Sequence, residues 1–148
     1  MRLALYQPDQ AGNVGTILRL AACIGVPVDI VEPCGFPFSD RALKRAGMDY
    51  AAIANVTRHR DWTAFEAQAK GRIVLLTTGG ALLPDARFEP NDVLMLRSES
   101  RGVPPQVHDR ADLRVRIPQS PGTRSLNIAV AAGIGLAEAL RQTDGWPE

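Results

Sequence analysis

Two runs in the sequence, Ile73–Leu76 and Val93–Leu96, are apolar at every position. A strand with one face in water alternates apolar and polar residues, so an unbroken apolar run indicates a strand that is covered on both faces. Such strands are typical of parallel sheets, because the connections between parallel strands place helices over both faces. The two runs therefore favour an α/β fold built on a parallel sheet.

The rest of the chain alternates short apolar runs with amphipathic segments, which is the order expected of a parallel sheet flanked by helices. Further strands are predicted at Arg2–Tyr6, Pro27–Val31, Ala51–Val56 and Leu113–Ile117, and helices from Asn13 to Gly25, over Asp40–Ala46, over Trp62–Lys70 and from Ser125 to Gln142. The side chains of Asn13 and Ser125 are predicted to cap the first and the last of these helices.

Length, charge and composition limit the function classes. The chain of 148 residues suits a single domain, 1–148, and its net charge of +1 gives no bulk attraction for nucleic acid. An RNA-binding surface would have to come from local clusters of basic residues. No apolar stretch reaches the roughly 18 residues that a membrane span needs, and the N-terminus lacks a signal-peptide pattern. We therefore expect a cytoplasmic protein.

Metal binding is not expected. His59 and His108 lack partners at metal-ligand spacing, and two cysteines are too few for a four-ligand zinc site.

Unusual residues concentrate in the loops that follow four predicted strands, after Tyr6, Leu76, Leu96 and Ile117. Parallel sheets bind ligands at the carboxyl ends of their strands, so these loops are the predicted functional site. The phosphate-binding patterns G-x-G-x-x-G and Walker A are both missing, which argues against a nucleotide-binding domain of flavodoxin-like type.

Three stretches of these loops carry groups that are suited to chemistry or binding. Residues 13–19 join a strand to a helix, residues 97–104 place one acidic residue between two arginines, and residues 117–127 form a Pro/Gly-rich loop before the last helix. Each stretch also has a plain structural interpretation. They are a helix cap with a snorkelling arginine, a solvated charged turn, and a second helix cap.

Taken together and in this order, the three stretches resemble the motifs of the SPOUT superfamily of methyltransferases. Asn13-x-Gly15-x-x-x-Arg19 is similar to the first motif, Glu99-x-x-Gly102-Val103-Pro104 to the second, and Ile117-Pro118 followed by Ser125-Leu126-Asn127 to the third. The resemblance covers essentially the whole chain. Glu32-Pro33-x-Gly35-Phe36, Arg45-Ala46-Gly47-x-Asp49-Tyr50 and Thr77-Thr78 are similar to the TrmL type, the tRNA (cytidine/uridine-34)-2′-O-methyltransferases.

The resemblance implies a fold, a reaction and an assembly. The fold is a parallel sheet flanked by helices with a C-terminal deep trefoil knot. The reaction is methyl transfer from S-adenosylmethionine to the ribose 2′-hydroxyl of the wobble nucleotide, position 34, a cytidine or a uridine in the anticodon stem-loop of tRNA. The assembly is a homodimer that uses the first and last helices.

The resemblance also implies roles for single residues. The implied cofactor-binding residues are Leu76, Thr78, Arg97, Gly102, Ile117 and Ser125, and the implied catalytic residues are Arg19, Glu99, Ser125 and Asn127. An arginine has a pKa above about 12 and is a poor general base. We therefore expect Arg19 to hold a phosphate or the developing alkoxide, and Glu99 to hold that arginine or the cofactor's amine.

The expected RNA contacts are basic or polar side chains. They are Asn13, Arg19, Arg41, Lys44, Arg45 and Arg58. Three of them share one short helix, and Arg58 stands with His59 and Arg60 in a second cluster, which suits contacts to phosphates. Ordinary solvated surface charge is the alternative interpretation of both clusters.

A non-catalytic RNA-binding protein of the same superfamily, with an impaired cofactor pocket, is the alternative function. Arg97 stands where the second motif usually begins with glycine, and Ala137 stands where close relatives carry an aromatic residue. If the backbone at position 97 needed a positive φ, an arginine there would be strained. Binding of S-adenosylmethionine separates the two functions.

Overall fold

The computed structural model describes residues 1–45 and 54–148. The strands are β1 Arg2–Tyr6, β2 Val28–Val31, β3 Val56–His59, β4 Ile73–Leu82, β5 Val93–Leu96 and β6 Leu113–Arg116. The helices are α1 Ala11–Ile24, α2 Asp40–Arg45, α3 Trp62–Gln68, α4 Pro105–Arg110 and α5 Ile128–Thr143, and a 3₁₀-helix spans Leu83–Asp85. Within these ranges, no helix is both long and apolar enough to cross a membrane.

All the strands pair in parallel, in the order β3-β2-β1-β5-β4-β6. The predicted parallel sheet flanked by helices is therefore confirmed. Leu96 of β5 is level with Leu5 of β1 on one side and with Leu76 of β4 on the other. The chain segments that follow Leu5, Leu76 and Leu96 consequently start side by side at one edge of the sheet.

Helices cover both faces of the sheet, and alternate residues of each strand point to opposite faces. Leu3 and Leu5 belong to the core beneath α1 and α5, whereas Ala4 and Tyr6 belong to the core beneath α3 and α4. The unbroken apolar runs of β4 and β5 arise in the same way, since each strand supplies both cores.

The two predicted helix caps are wrong. Helix α1 begins at Ala11 with Gln10 as its N-cap residue and without a side-chain cap, so Asn13 lies inside the first turn. Helix α5 begins at Ile128, and its cap is Asn127 rather than Ser125. The Oδ1 atom of Asn127 accepts hydrogen bonds from the backbone N–H groups of the first turn. The C-terminus of α1 is as predicted, since Gly25 ends it with a left-handed φ of 77°.

Strand β3 lies later in the chain than its predicted position, Ala51–Val56. The strand is Val56–His59, and residues 51–53 of the predicted region lie outside the described residues. It has the sequence VTRH and lies at the edge of the sheet, where one side of the strand is exposed to water. Because most of its residues are polar, the sequence lacks the apolar run by which the other strands were predicted. Helix α4 was not predicted for a similar reason, because Val107 is its one buried residue.

Strand β4 runs beyond its predicted end at Leu76. Leu76 and Ala81 are both level with Val115 of β6, so the residues between them leave the ladder as a bulge. Gly80 makes the bulge possible. Its φ is +93°, and a Cβ atom at this position would lie 2.3 Å from the carbonyl oxygen of Arg114.

Candidate active site

A cavity of about 260 Å³ lies at the β4 bulge and the carboxyl ends of β5 and β6, where the first turns of α1 and α5 meet them. This is the edge of the sheet at which a parallel fold was predicted to bind its ligand. Predicted cofactor-binding residues that line it are Leu76, Thr78, Arg97, Ile117 and Ser125. Thr78 reaches the cavity because it belongs to the β4 bulge.

Gly102, the remaining predicted cofactor-binding residue, is not part of the lining. It shapes the loop after β5 instead, where its N–H donates to the carbonyl oxygen of Ser98 at 3.0 Å. Its φ is +66°, and a Cβ atom here would lie 3.2 Å from Nη1 of Arg97. The glycine therefore gives the Arg97 side chain room to lie along the loop.

Position 97 does not require a glycine. Among the described residues, the non-glycine positions with positive φ are Gln7 and Asp144, so the backbone of Arg97 carries no strain of that kind. Its side chain is half-buried and contributes to the cavity lining. It therefore brings a cation to the cavity.

One chain of hydrogen bonds joins the three sequence motifs. The Nδ2 atom of Asn13, in the first motif, donates to Oε1 of Glu99, in the second, at 2.9 Å. The Nδ2 atom of Asn127, in the third, donates to Oδ1 of Asn13 at 3.0 Å. These residues are far apart in sequence, and their side chains meet at the wall of one cavity.

Asp9 is a residue of this region that the sequence motifs did not include. Its backbone N–H donates to Oε2 of Glu99 at 3.3 Å, so both oxygens of Glu99 accept hydrogen bonds from the α1 side of the site. Its position in the chain could have identified it, because Asp9 lies in the loop after β1, one of the four loops that the sequence predicted to form the site.

The two carboxyl groups of Asp9 and Glu99 influence each other's ionisation. Burial, and then the hydrogen bond between its carboxyl group and that of Asp9, raise the pKa of Glu99 above its usual value. The same hydrogen bond is the main reason that the pKa of Asp9 lies below its usual range. Neighbouring carboxyl groups titrate as a pair in this way, so that one keeps its proton to a higher pH than the other.

Arg19 lies on the exposed side of α1 and is not among the residues that line the cavity. Ser125 and Asn127 line the cavity and are exposed, so both are accessible from solvent. The cavity thus contains all the predicted catalytic side chains except Arg19.

The predicted RNA contacts on α2 and β3 differ in whether the side chain is exposed or already bound to another residue. Arg41 and Lys44 are exposed on α2, while the side chain of Arg45 lies outside the described residues. Arg58 donates to the carboxylate of Glu32 and lies over the ring of Phe38 at 4.5 Å, so its guanidinium is already engaged.

The predicted surface cluster of Arg58, His59 and Arg60 is wrong in one member. His59 is 4% exposed, and its Nε2 atom lies 2.8 Å from Oδ1 of Asp29. Adjacent strand residues point to opposite faces, so His59 turns inward where Arg58 turns outward. Within the described ranges, no group of three or more potential metal ligands occurs.

Residues 1–137 match the SpoU rRNA Methylase family. The chain belongs to this family. The methyltransferase resemblance read from the three motifs is thereby confirmed.

Similar proteins carry more specific names. A tRNA (cytidine(34)-2′-O)-methyltransferase of Beijerinckia indica is 53% identical over 144 residues, which cover 95% of this chain and 90% of the relative. The Escherichia coli K12 protein of the same name is 40% identical and covers 99% of this chain and 96% of its own length.

Solved structures agree with this relationship. One concerned with the 2-OH methylation of C/U34 on tRNA superposes with a TM-score of 0.87 at 41% identity, over 95% of this chain and 94% of that chain. An AdoMet-bound rRNA methyltransferase of Sinorhizobium meliloti superposes with a TM-score of 0.81 at 29% identity. That match covers 95% of this chain and 55% of the other.

Proposed function

We propose that this protein transfers a methyl group from S-adenosylmethionine to the ribose 2′-hydroxyl of nucleotide 34, a cytidine or a uridine, in tRNA. The observation that carries the proposal is the hydrogen-bonded chain from Glu99 through Asn13 to Asn127, which brings the three motifs to one cavity. The names of the relatives in Beijerinckia indica and Escherichia coli support the choice of nucleotide.

The residues that line the cavity suit S-adenosylmethionine. Leu76 and Ile117 offer apolar surface for the adenine ring, and the hydroxyl groups of Thr78 and Ser125 suit the ribose. Arg97 suits the carboxylate of the methionine part, since guanidinium and carboxylate pair through two parallel hydrogen bonds. When bound, the cofactor supplies an electrophilic methyl group on a sulfonium.

The protein's own residues must hold the ribose hydroxyl in line and manage its proton. Positioning alone is able to remove several kcal/mol of the barrier, roughly 7–11 in well-oriented cases. We assign this positioning to Asn13 and Asn127, whose amides are fixed by each other and by Glu99. Arg19, on the exposed side of α1, would hold an RNA phosphate or stabilise the developing alkoxide.

The alternative, an RNA-binding protein without efficient cofactor binding, rested on Arg97 and Ala137. The unstrained backbone of Arg97 and the cation it adds to the cavity favour the enzyme. Ala137 is half-buried on α5 and is not part of the cavity lining.

Calorimetry and a methylation assay test the proposal together. The purified protein should bind S-adenosylmethionine, and labelled methyl groups should appear at ribose 34 when its tRNA is digested and mapped. An Arg97→Gly variant is the matched control. If only the variant binds the cofactor, the wild-type pocket is impaired and the alternative function is correct.

We propose that RNA binds through Asn13, Arg19, Arg41, Lys44, Arg45 and Arg58. When one phosphate contact is lost, the slope of log affinity against log salt concentration becomes less steep by about one unit. Arg41→Gln and Lys44→Gln should therefore weaken tRNA binding and flatten its salt dependence. Arg58→Gln should have less effect, because Glu32 already engages that guanidinium.

We also propose that a second copy of the chain covers the exposed side of α5, giving a homodimer. Val130 and Ile134 are 50% and 39% exposed and lie one helical turn apart on α5, which packs against α1. Ile134→Glu should convert the dimer to a monomer in analytical ultracentrifugation. Ala67→Glu, on α3 at the opposite face of the sheet, is the matched control and should remain dimeric.

The family relationship supports two further proposals, a C-terminal deep trefoil knot and a cytoplasmic location.

A further inference from the structure

We propose that Asp9 is a positioning residue of the methyl-transfer site, which fixes the loop after β5 and holds Glu99 in the orientation that accepts from Asn13. The proposal rests on the function proposed above. It adds a residue that belongs to none of the three motifs.

The carboxylate of Asp9 holds the loop on both sides of Glu99. Its Oδ2 atom accepts from the Ser98 hydroxyl and from the backbone N–H of Ser100, each at 3.2 Å, and also from the Ser100 hydroxyl. Ser98 is buried, so this contact is shielded from water. Glu99 is the residue between these two anchors, and its backbone has little freedom to turn away.

Gly35 closes the other side of Asp9. Its N–H donates to the carbonyl oxygen of Pro8 at 2.9 Å, which brings the loop after β2 against the loop after β1. A Cβ atom at Gly35 would lie 2.7 Å from Cβ and 2.8 Å from Cα of Asp9. Any side chain at position 35 must therefore displace Asp9.

The second carboxylate oxygen of Asp9 requires a donor. Oδ1 is buried and has no hydrogen-bond partner among the described groups. A buried oxygen without a donor is unfavourable, and the neighbouring carboxyl group of Glu99 is able to supply one when it is protonated. The directions of the two pKa shifts agree with this, since Glu99 keeps its proton to a higher pH than Asp9 does.

The other groups around Glu99 leave Asp9 as its dominant ionisable neighbour. From α1, Asn13 and Gln10 are neutral, and from α5, Asn127 is neutral. On its own loop, Arg97 lines the same cavity and Arg101 lies two positions further on. When both carboxyl groups are ionised, their negative charges repel each other, and the hydrogen bonds from Asp9 and Asn13 hold Glu99 in place against this repulsion.

Asp9 would therefore act on the reaction through Glu99. Oε2 of Glu99 accepts from the backbone N–H of Asp9 while Oε1 accepts from Asn13, and this keeps the other end of the Asn13 amide turned toward Asn127. Without the Asp9 carboxylate, the loop loses its anchors at Ser98 and Ser100, and Glu99 is free to rotate. The Asn13 and Asn127 amides then lose their fixed orientation.

The test follows the ionisation of Glu99 directly and the reaction separately. Carbon-13 NMR of glutamate-labelled protein should show one glutamate carboxyl, absent in Glu99→Gln, that titrates above the usual glutamate range. In Asp9→Asn, whose amide can donate to a glutamate carboxylate, that titration should move to lower pH. This readout does not depend on methylation, so it remains valid even if the proposed function is wrong.

Kinetics of further variants at Asp9 and Gly35 supply the second readout. Asp9→Ala should lower kcat by about tenfold or more with a smaller change in the KM for tRNA, because positioning rather than binding is lost. Gly35→Ala should act in the same direction through displacement of Asp9. Asp9→Glu should recover part of the activity, since it keeps an acceptor.

Asp61→Asn is the matched control, because Asp61 also accepts a backbone N–H, from Ala64 at 2.8 Å, but on α3. It should leave both the Glu99 titration and kcat unchanged. An unaltered Glu99 titration in Asp9→Asn, or wild-type kcat in a folded Asp9→Ala, would overturn the proposal.

Discussion

The side-chain amide of Asn127 donates to Oδ1 of Asn13, although the two residues are 114 positions apart. Asn127 is able to do so because its own Oδ1 caps α5, accepting from Ala129 at 2.8 Å, which leaves the nitrogen free. Asn13 in turn directs its nitrogen to Glu99. The helix cap thus fixes the orientation of two amides, and stability and function can be separated at Asn127.

Asn127→Asp should keep the cap and lose the donor. Aspartate is as good an N-cap residue as asparagine, so the free energy of unfolding should change by less than about 0.5 kcal/mol. Methylation should fall by about tenfold or more, because Asn13 loses its partner. Urea unfolding and single-turnover kinetics measure the two effects.

Asn127→Ala is the comparison variant for this prediction. It should lose both the cap, at a cost of about 1 kcal/mol in unfolding free energy, and the activity. Full activity in Asn127→Asp would show that the link between Asn127 and Asn13 has no role in the reaction.

Gly80→Ala should destabilise the protein. The left-handed backbone at position 80 costs a non-glycine residue about 1 kcal/mol or more, and the added carbon would lie 2.3 Å from the Arg114 carbonyl oxygen. Since the bulge places Thr78 in the cavity, affinity for S-adenosylmethionine should fall as well.

Gly79→Ala is a neighbouring control for Gly80→Ala, because nothing lies within 4 Å of a Cβ atom at Gly79. Its free energy of unfolding should stay within about 0.5 kcal/mol of wild type. Equal destabilisation of the two variants in urea unfolding would contradict the role assigned to Gly80.

Arg97→Met should weaken binding of S-adenosylmethionine by about tenfold, since it removes the cation assigned to the carboxylate. Methylthioadenosine lacks the amino-acid part, so its affinity should be almost the same for both proteins. Calorimetry with the two ligands separates the charge of Arg97 from its bulk. Equal losses for both ligands would mean that the side chain acts by shape.

The sequence contained enough information to locate the site and most of the sheet. The apolar runs of β4 and β5 required a doubly covered sheet, and a parallel sheet places its ligand at the carboxyl ends of the strands. Four loops followed from that rule, and they include Glu99 and Asn127, which the structure brings to one wall.

The remaining features depend on contacts between distant residues. Strand β3 is polar because it is an edge strand, and its pairing with β2 defines it better than its composition does. The β4 bulge exists because Leu76 and Ala81 are level with the same residue of β6. Asp9 acquires its role only when a loop 90 positions away folds against it.

The free energy of unfolding should depend on pH through Asp112, which binds the first residue of β4. Its Oδ2 atom accepts from the backbone N–H of Ile73 at 2.8 Å, and this contact, helped by Arg110, lowers the pKa of Asp112. A carboxyl group with a lowered pKa in the folded state stabilises the protein above the unfolded-state pKa, about 4. That stabilisation is lost as the pH falls through the lower folded-state value.

Asp112→Asn keeps an acceptor but removes the charge. At pH 6 the variant should be less stable than wild type by at most about 1 kcal/mol, because the carboxylate is 41% exposed and water screens it. The difference should shrink as the pH is lowered below about 4. Urea unfolding between pH 3 and 7 measures it, with Asp109→Asn, whose side chain is 80% exposed, as the control. A difference that grew on acidification would reverse the sign of the argument and rule out a lowered pKa at Asp112.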